Sequence, residues 1–281
     1  MQPAKFNYYR ANTIDEAESL CKGNTDASFI AGGHSLIPAM KLRLAEPGTL
    51  VDIGRIDDLK GISREGDTIH IGALTTHAEV ESSDVVKDAC AALAEAAGMI
   101  GDPQVRNRGT IGGNVAHADP ASDYPGILMA FKATVVTSSR SIAVDDFFTG
   151  LFETALNDGE VITEIQVPAL GDGSGSGYAK FFNPASRYAV VGIGAVVTMD
   201  NGTCSSCSIG VTGAAGHAFR ASAAEDALTG SDLGDDALAA AAAKVADGQE
   251  MLNDLVASEN YRSHLCGVIA TKAIKAAKSG A

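Results

Sequence analysis

The chain has 281 residues, 46% of them hydrophobic, and a formal net charge of −14 from 35 acidic and 21 basic residues. This length exceeds the size at which one hydrophobic core usually keeps growing, so two or three domains are expected. The negative charge disfavours a nucleic-acid partner, because phosphate binding requires clustered lysine and arginine. No membrane-spanning run or apolar secretory stretch is visible, which favours a cytoplasmic protein.

The first part of the chain predicts short strands and helices. The spacing from Thr13 to Glu16 is that of a capping box and predicts that a helix begins there. An alanine-rich helix is predicted at 88–100, followed by a long loop at 101–125 with frequent glycine and proline. Apolar patterning predicts strands at 27–31, 49–53, 68–71, 135–136, 141–144 and 161–167.

The second part begins with a glycine- and serine-rich stretch at 169–177, interpreted as a flexible connector and a domain boundary. Asp200-Asn201-Gly202 predicts a hairpin between strands at 190–199 and 203–211. Three helices are predicted at 221–228, 235–246 and 259–277. The whole pattern is α+β, because the regular alternation of a doubly wound sheet is missing.

Two glycine pairs, Gly32-Gly33 and Gly112-Gly113, carry the strongest chemical signal. Paired glycines allow backbone N–H groups to converge on an anion, and Ser35, Thr110 and Asn114 would add side-chain donors. Neither pair fits the Rossmann or the P-loop pattern. Glycine pairs most often mark turns, so the residues alone leave a simple turn open beside a diphosphate site.

Cysteine and histidine give no metal signal. The five cysteines are scattered, and Cys204 and Cys207, the only C-x-x-C pair, lack two further ligands at suitable spacing. A strand is the simpler interpretation, with an isolated redox pair left open. His34 and His117 each lie beside a glycine pair and are expected to order a loop or pack near a cofactor, and proton transfer is the alternative. No metal is predicted in this chain.

Two long segments around the glycine pairs carry a family resemblance. Residues 31–43, AGGHSLIPAMKLR, and residues 102–114, DPQVRNRGTIGGN, continuing to ADPASD at 118–123, resemble the flavin-binding segments of the medium subunits of molybdenum hydroxylases such as carbon monoxide dehydrogenase. The resemblance covers nearly the full chain. It implies an α+β fold: an FAD-binding part of two α+β subdomains (PCMH type) at 1–56 and 57–170, then a C-terminal flavoprotein domain at 171–281.

The resemblance also implies FAD as the cofactor. By it, Lys180 would stabilise negative charge on the reduced flavin and Tyr188 would lie against the ring, although 183–187 depart from the carbon monoxide dehydrogenase pattern. Without it, a solvated lysine and a packing tyrosine would be the preferred interpretations. No catalytic residue is predicted in this chain. The implied cofactor-binding residues are Ala31, Gly32, Gly33, His34, Ser35, Leu36, Thr110, Ile111, Gly112, Gly113, Asn114, Asp123, Ile162, Lys180 and Tyr188.

The implied function is electron transfer in a dimer of heterotrimers. A large partner subunit would hold the molybdenum cofactor and a small one two iron–sulfur clusters, whose electrons pass through FAD to an external acceptor. A stand-alone flavin oxidoreductase and a scaffold that has lost the cofactor are the alternatives. The sequence names neither the substrate nor the acceptor, since the substrate pocket would lie in another chain.

Overall fold

The structure of the protein, a computed structural model, describes all residues from 1 to 281. It contains fourteen strands and ten helices. The strands are β1 (Asn7–Arg10), β2 (Ala27–Ile30), β3 (Thr49–Asp52), β4 (Ile62–Glu65), β5 (Thr68–Gly72), β6 (Thr134–Thr137), β7 (Ser141–Ala143), β8 (Phe148–Gly150), β9 (Glu153–Thr154), β10 (Ile162–Pro168), β11 (Ser174–Phe182), β12 (Ala189–Asp200), β13 (Thr203–Thr212) and β14 (Phe219–Arg220).

The helices are mostly short, and α4 is interrupted by a non-helical residue at Cys90. They are α1 (Ile14–Lys22), α2 (Leu36–Lys41), α3 (His77–Ser82), α4 (Asp84–Gly98), α5 (Pro103–Arg106), α6 (Ile111–His117), α7 (Asp123–Ala130), α8 (Ser222–Leu228), α9 (Asp235–Ala242) and α10 (Glu259–Ser279). None of them combines the length and the apolar character needed to cross a membrane.

Three main sheets organise the molecule. A parallel sheet has the order β1-β3-β2, an antiparallel sheet has the order β4-β5-β10-β6-β7, and a second antiparallel sheet has the order β11-β12-β13-β14. The last contains the predicted hairpin, in which Asn201 and Gly202 both have positive φ, as a tight turn between twisted strands requires. The predicted α+β class is therefore confirmed.

Helix α7 connects the middle and C-terminal parts of the molecule. All eight of its residues are buried, and it packs against α4 on one side and against β12 and β13 on the other. A helix that is apolar all round is stable only between two layers. Its first residue, Asp123, is consequently held between α4 and the C-terminal sheet.

The predicted long loop at 101–125 is wrong in its secondary structure, because it contains α5, α6 and the start of α7. Local capping explains the difference. The side chain of Asp102 accepts from the N–H of Val105, and that of Thr110 accepts from the N–H of Gly113, so both short helices gain a cap. The glycine and proline content hid these helices.

The glycine-rich stretch is also less flexible than predicted, because β11 begins within it at Ser174. A Cβ on Gly175 would lie 2.1 Å from the carbonyl oxygen of Ala277, and one on Gly177 would lie 2.3 Å from that of Ala273. Glycine is used here to let α10 lie directly on the strand. The remaining predicted elements correspond to observed ones, with bounds that differ by a few residues.

Candidate cofactor site

The first glycine loop follows β2 and leads into α2. Gly33 has a φ of +74°, a backbone conformation that side chains with a Cβ rarely adopt. The backbone N–H groups of Gly32, Gly33, His34 and Ser35 donate to no protein atom. A row of consecutive free amides on a turn is the arrangement that binds anions in proteins.

The two glycine segments are packed against one another. A Cβ on Gly32 would lie 2.1 Å from the carbonyl oxygen of Arg108 and 2.9 Å from the Cα of Gly109. On the neighbouring side, the Cβ of Ala31 lies 3.9 Å from where a Cβ on Gly113 would be. The predicted convergence of the two segments is thus a property of the fold, since backbone meets backbone where they approach.

The second glycine segment uses its amides internally. The N–H of Ile111 donates to Thr75, that of Gly112 donates to Ala73, and those of Gly113 and Asn114 donate to the side chain and carbonyl of Thr110. These bonds hold the segment to the chain just after β5. The expectation that both segments offer free amides is therefore correct for the first only.

Close packing explains the glycine at position 112. A Cβ there would lie 2.5 Å from the Cβ of Ala73 and 2.8 Å from its carbonyl oxygen. Gly112 is buried, whereas Gly113 is exposed. The second pair therefore lets the loop lie on β5 and presents only Gly113 and the side chain of Asn114 at the surface.

Asp123 and Lys180 form a buried ion pair at 2.8 Å, with side chains only 5% and 3% exposed. The hydroxyl of Tyr178 also donates to Asp123, at 2.5 Å. Burial raises the pKa of the Asp123 carboxyl, and the charge and hydrogen bond of Lys180 oppose that rise. The pair joins the start of α7 to β11.

The ammonium of Lys180 has three N–H donors, and all three have protein acceptors. They are the carboxylate of Asp123 at 3.0 Å, the carbonyl of Arg187 at 2.9 Å and the carbonyl of Met99 at 3.1 Å. The solvated lysine that the residues alone suggested is wrong. Lys180 instead connects three segments of the chain, one of which leads to Tyr188.

Tyr188, directly before β12, lies close to the first glycine loop. The residue is 41% exposed, and its hydroxyl lies close to the side chain of Ser35 and near Asp119. Partial burial, the largest effect, raises the pKa of this hydroxyl, and the nearby Asp119 charge adds to the rise. The structure therefore brings Tyr188 of the C-terminal part to the first glycine loop.

The other predicted residues are more dispersed. Ile111 and Ile162 are buried in the main hydrophobic core, and Leu36 begins α2. His34 is exposed and its Nδ1 lies 3.1 Å from the carbonyl oxygen of Gly32, while His117 packs on Phe152 with ring centroids 5.3 Å apart. The His34 contact joins two neighbouring residues of the first loop, and the His117 contact packs one ring against another.

His77 was not identified from the sequence. It is buried beneath the second segment, where its backbone N–H donates to the carbonyl of Gly109 and its ring Nδ1 lies 3.2 Å from the hydroxyl of Tyr124. Burial lowers its pKa to about 4. The one available signal was the Thr76–Glu79 capping box, which marks the start of α3.

The cysteines are all free, and Cys204 and Cys207 lie in β13 as the strand interpretation predicted. Burial raises the pKa of Cys207 to about 12, so this thiol is poorly suited to redox chemistry. No group of three or more His, Cys, Asp or Glu side chains has an arrangement that could hold a metal ion.

Comparison with known proteins agrees with this architecture. The family model for the FAD binding domain in molybdopterin dehydrogenase matches residues 4–170, and that for the CO dehydrogenase flavoprotein C-terminal domain matches residues 176–277. The carbon monoxide dehydrogenase medium chain of Hydrogenophaga pseudoflava is 38% identical over 99% of this chain and 98% of its own. The glyceraldehyde dehydrogenase medium chain of Sulfolobus acidocaldarius is 37% identical over 98% and 99%.

Solved structures give the same result. A chain of the Hydrogenophaga pseudoflava carbon monoxide dehydrogenase that lacks the Mo-pyranopterin moiety superimposes with a TM-score of 0.96 and 40% identity over 99% of both chains. A chain of quinoline 2-oxidoreductase from Pseudomonas putida 86 gives 0.93 and 29%, again over 99% of both. The resemblance and the fold predicted from the sequence are confirmed. This chain belongs to the FAD-binding medium subunits of the molybdenum hydroxylase family and is a flavoprotein subunit of an oxidoreductase.

Proposed function

We propose that this chain transfers electrons within a molybdenum hydroxylase, from the iron–sulfur clusters of a small partner subunit through FAD to an external acceptor. A large partner would hold the molybdenum cofactor, and two such trimers would assemble in the cytoplasm. The chain itself would bind and orient FAD and would not contact the hydroxylated substrate. FAD supplies, when bound, the ability to exchange electrons both singly and in pairs.

The observation that carries this proposal is the row of free amides from Gly32 to Ser35. A diphosphate carries negative charge that oriented N–H groups stabilise without a cation, and the turn at Gly33 leaves the space for its close approach. These residues fit the diphosphate of FAD. The second segment adds the exposed Gly113 and the amide side chain of Asn114 beside them.

Tyr188 and Lys180 would have different tasks at the other end of the cofactor. The half-exposed ring of Tyr188, next to Ser35, offers a flat apolar surface on which an isoalloxazine ring can stack. Lys180 has its donors occupied by Asp123, Arg187 and Met99, so it would contribute by holding those segments in place. Its charge would still favour nearby negative charge in this buried setting.

The names of the relatives support a substrate site in another subunit. Medium chains or subunits of carbon monoxide dehydrogenase, glyceraldehyde dehydrogenase and nicotine 6-hydroxylase are 38%, 37% and 34% identical to this chain. Carbon monoxide, glyceraldehyde and nicotine differ widely in size and polarity. A chain that stays so similar across them is suited to a step that all the enzymes have in common, and electron transfer is such a step.

The test is to purify the native complex through a tag on this chain and to identify the bound flavin and the accompanying chains. We expect about one FAD per chain, an iron–sulfur chromophore in the small partner and substrate-dependent flavin reduction only in the complete complex. Gly33→Val should empty the flavin site because Val is strained at positive φ, whereas Gly171→Val, with no neighbour within 4 Å, should keep it.

Three results would contradict the proposal. A complex that contains no flavin and takes up none would remove its basis. Retained turnover in a flavin-free Gly33→Val complex would indicate a scaffold role for this chain. Substrate-dependent flavin reduction by the purified chain without partners would establish a stand-alone oxidoreductase instead.

A further inference from the structure

The end of the second flavin segment, Pro120 to Ser122, is held by the C-terminal domain. The N–H of Gly213 donates to the carbonyl of Pro120 at 2.7 Å, and the N–H of Ala189 donates to the carbonyl of Ala121 at 3.0 Å. Both donors lie at strand ends of the C-terminal sheet: Ala189 is the first residue of β12, and Gly213 directly follows β13. The C-terminal sheet therefore holds a segment of the FAD-binding part through two backbone hydrogen bonds.

Thr212 is the side chain at the centre of this contact. It is the last residue of β13 and is completely buried. Its Oγ1 lies 2.8 Å from the carbonyl oxygen of Pro120 and 2.6 Å from that of Ser122, and its single proton is shared between them. The hydroxyl of Tyr178 bonds to the neighbouring Asp123, but among the side-chain hydroxyls of the C-terminal domain only that of Thr212 bonds to residues 120–122.

Ser122 relays this contact to the flavin segment. The Ser122 side chain is buried, and its hydroxyl donates to the Oδ1 of Asn114 at 2.5 Å. The Nδ2 group of Asn114 donates to no protein atom, and the residue is half-buried beside the exposed Gly113. Because Oδ1 accepts the Ser122 hydroxyl, the two N–H donors of Asn114 remain available to a ligand.

We propose that Thr212 is a positioning residue of the flavin site: by fixing Pro120 and Ser122, it makes Ser122 hold Asn114 as a hydrogen-bond donor to an oxygen acceptor of FAD. This inference rests on the proposed function, since it assumes that FAD occupies the loops. It gives the C-terminal domain a defined part in cofactor binding through a residue that does not touch the cofactor. The chemistry it recognises is an acceptor oxygen of the phosphate or ribityl chain.

The experiment measures FAD affinity in the tagged native complex after removal of flavin, by titration with FAD and its fluorescence. Thr212→Val keeps the branched shape but removes the hydroxyl, and we expect the Kd for FAD to rise about tenfold, the effect of one weakened hydrogen bond. Thr212→Ser restores the hydroxyl and should return the Kd to within about threefold of the wild type.

Thr198→Val is the matched control. Thr198 lies in the same sheet and shares a hydrogen bond with Ser174 at 2.9 Å, but it is at the far end of β12 from the flavin segment. Removing this half-buried hydroxyl should lower thermal stability without FAD and leave the FAD Kd unchanged. If the FAD Kd rises in proportion to the loss of thermal stability in Thr212→Val, Thr212→Ser and Thr198→Val alike, the proposal is overturned.

A double-mutant cycle tests the route through Asn114. Asn114→Ala removes the donor, so Thr212→Val should add less than twofold to the Kd in that background, against about tenfold alone. Full additivity would overturn the relay, as would a Thr212→Ser variant as weak as Thr212→Val. If the wild-type complex takes up no FAD, the proposed function itself fails. If it does and Thr212→Val binds equally well, only this inference fails.

Discussion

The two glycine pairs of this protein look alike in sequence but differ in the structure. At Gly32-Gly33 the backbone amides of the loop are free, and the turn itself requires positive φ. At Gly112-Gly113 each amide from Ile111 to Asn114 has a protein acceptor, and Gly112 is buried against Ala73. The first pair offers backbone donors that no protein atom uses, and the second mainly allows close packing of the backbone.

This difference shows that a glycine pair can be required for two separate reasons. One is to expose N–H groups to an anion. The other is to let two backbones approach so closely that no Cβ fits between them. The second loop depends on its neighbours for its shape, because it is held by the chain after β5 below and by the C-terminal sheet through Pro120 and Ala121.

The largest expected effect is the loss of the buried Lys180–Asp123 pair, which joins β11 to the start of α7 just after the second loop. Lys180→Met leaves the carboxylate of Asp123 buried without its cation, and we expect the free energy of unfolding to fall by about 3–5 kcal/mol. Urea unfolding followed by circular dichroism measures it. FAD should be lost from the complex as well, because Asp123 begins the helix that follows the second loop.

An exposed ion pair provides the control for Lys180. Lys275 and Asp235 lie 2.9 Å apart with side chains 56% and 91% exposed. Solvent screens such a pair, so Lys275→Met should cost far less stability and leave FAD content unchanged. Equal losses in the two variants would show that the second loop is not supported by the buried pair.

A smaller effect is expected where the two loops meet. Gly32→Ala places a Cβ 2.1 Å from the carbonyl oxygen of Arg108, and relieving this overlap should cost about 1–3 kcal/mol of unfolding free energy. The shift separates the loops, so FAD affinity should fall in the same variant. Gly171→Ala, which meets no neighbour, should behave as the wild type, and an unaffected Gly32→Ala would show that the loops are independent.

The smallest expected effect is the pH dependence of stability that arises from His77, which is buried beneath the second loop. His77 has a pKa of about 4 in the folded chain against about 6.5 when unfolded. Between these two values the imidazole is protonated in the unfolded chain but neutral in the folded chain. The contribution of His77 to the free energy of unfolding is fully present above pH 6.5 and is lost as the pH falls toward 4. Between pH 6.5 and 5 the loss should be roughly 1.5 kcal/mol.

Urea unfolding at these two pH values measures it. His77→Gln keeps a polar group near Tyr124 but cannot titrate, so its stability should change less with pH than that of the wild type. His264→Gln, on the exposed face of α10, should retain the wild-type dependence. An unchanged slope in His77→Gln would mean that another group is responsible.

Much of the architecture could be predicted because its signals are local. The helix cap at Thr13, the Asn201-Gly202 turn and the apolar runs of β10 and β12 each involve only neighbouring residues. The errors came where a partner distant in sequence decides. The short helices α5 and α6 were hidden by glycine and proline, and the glycines of β11 form a strand because α10 lies on them.

The sequence by itself determined the α+β class and, through the two glycine segments and their extended flanks, the family. It could not reveal which glycine pair offers free amides, since that depends on whether acceptors such as Ala73 and Thr75 are nearby. Nor could it show that Lys180 is buried against Asp123, or that Thr212 holds Pro120. Hydrogen-bond partners 57 and 92 residues apart are set by how the layers pack, and only the tertiary structure brings them together.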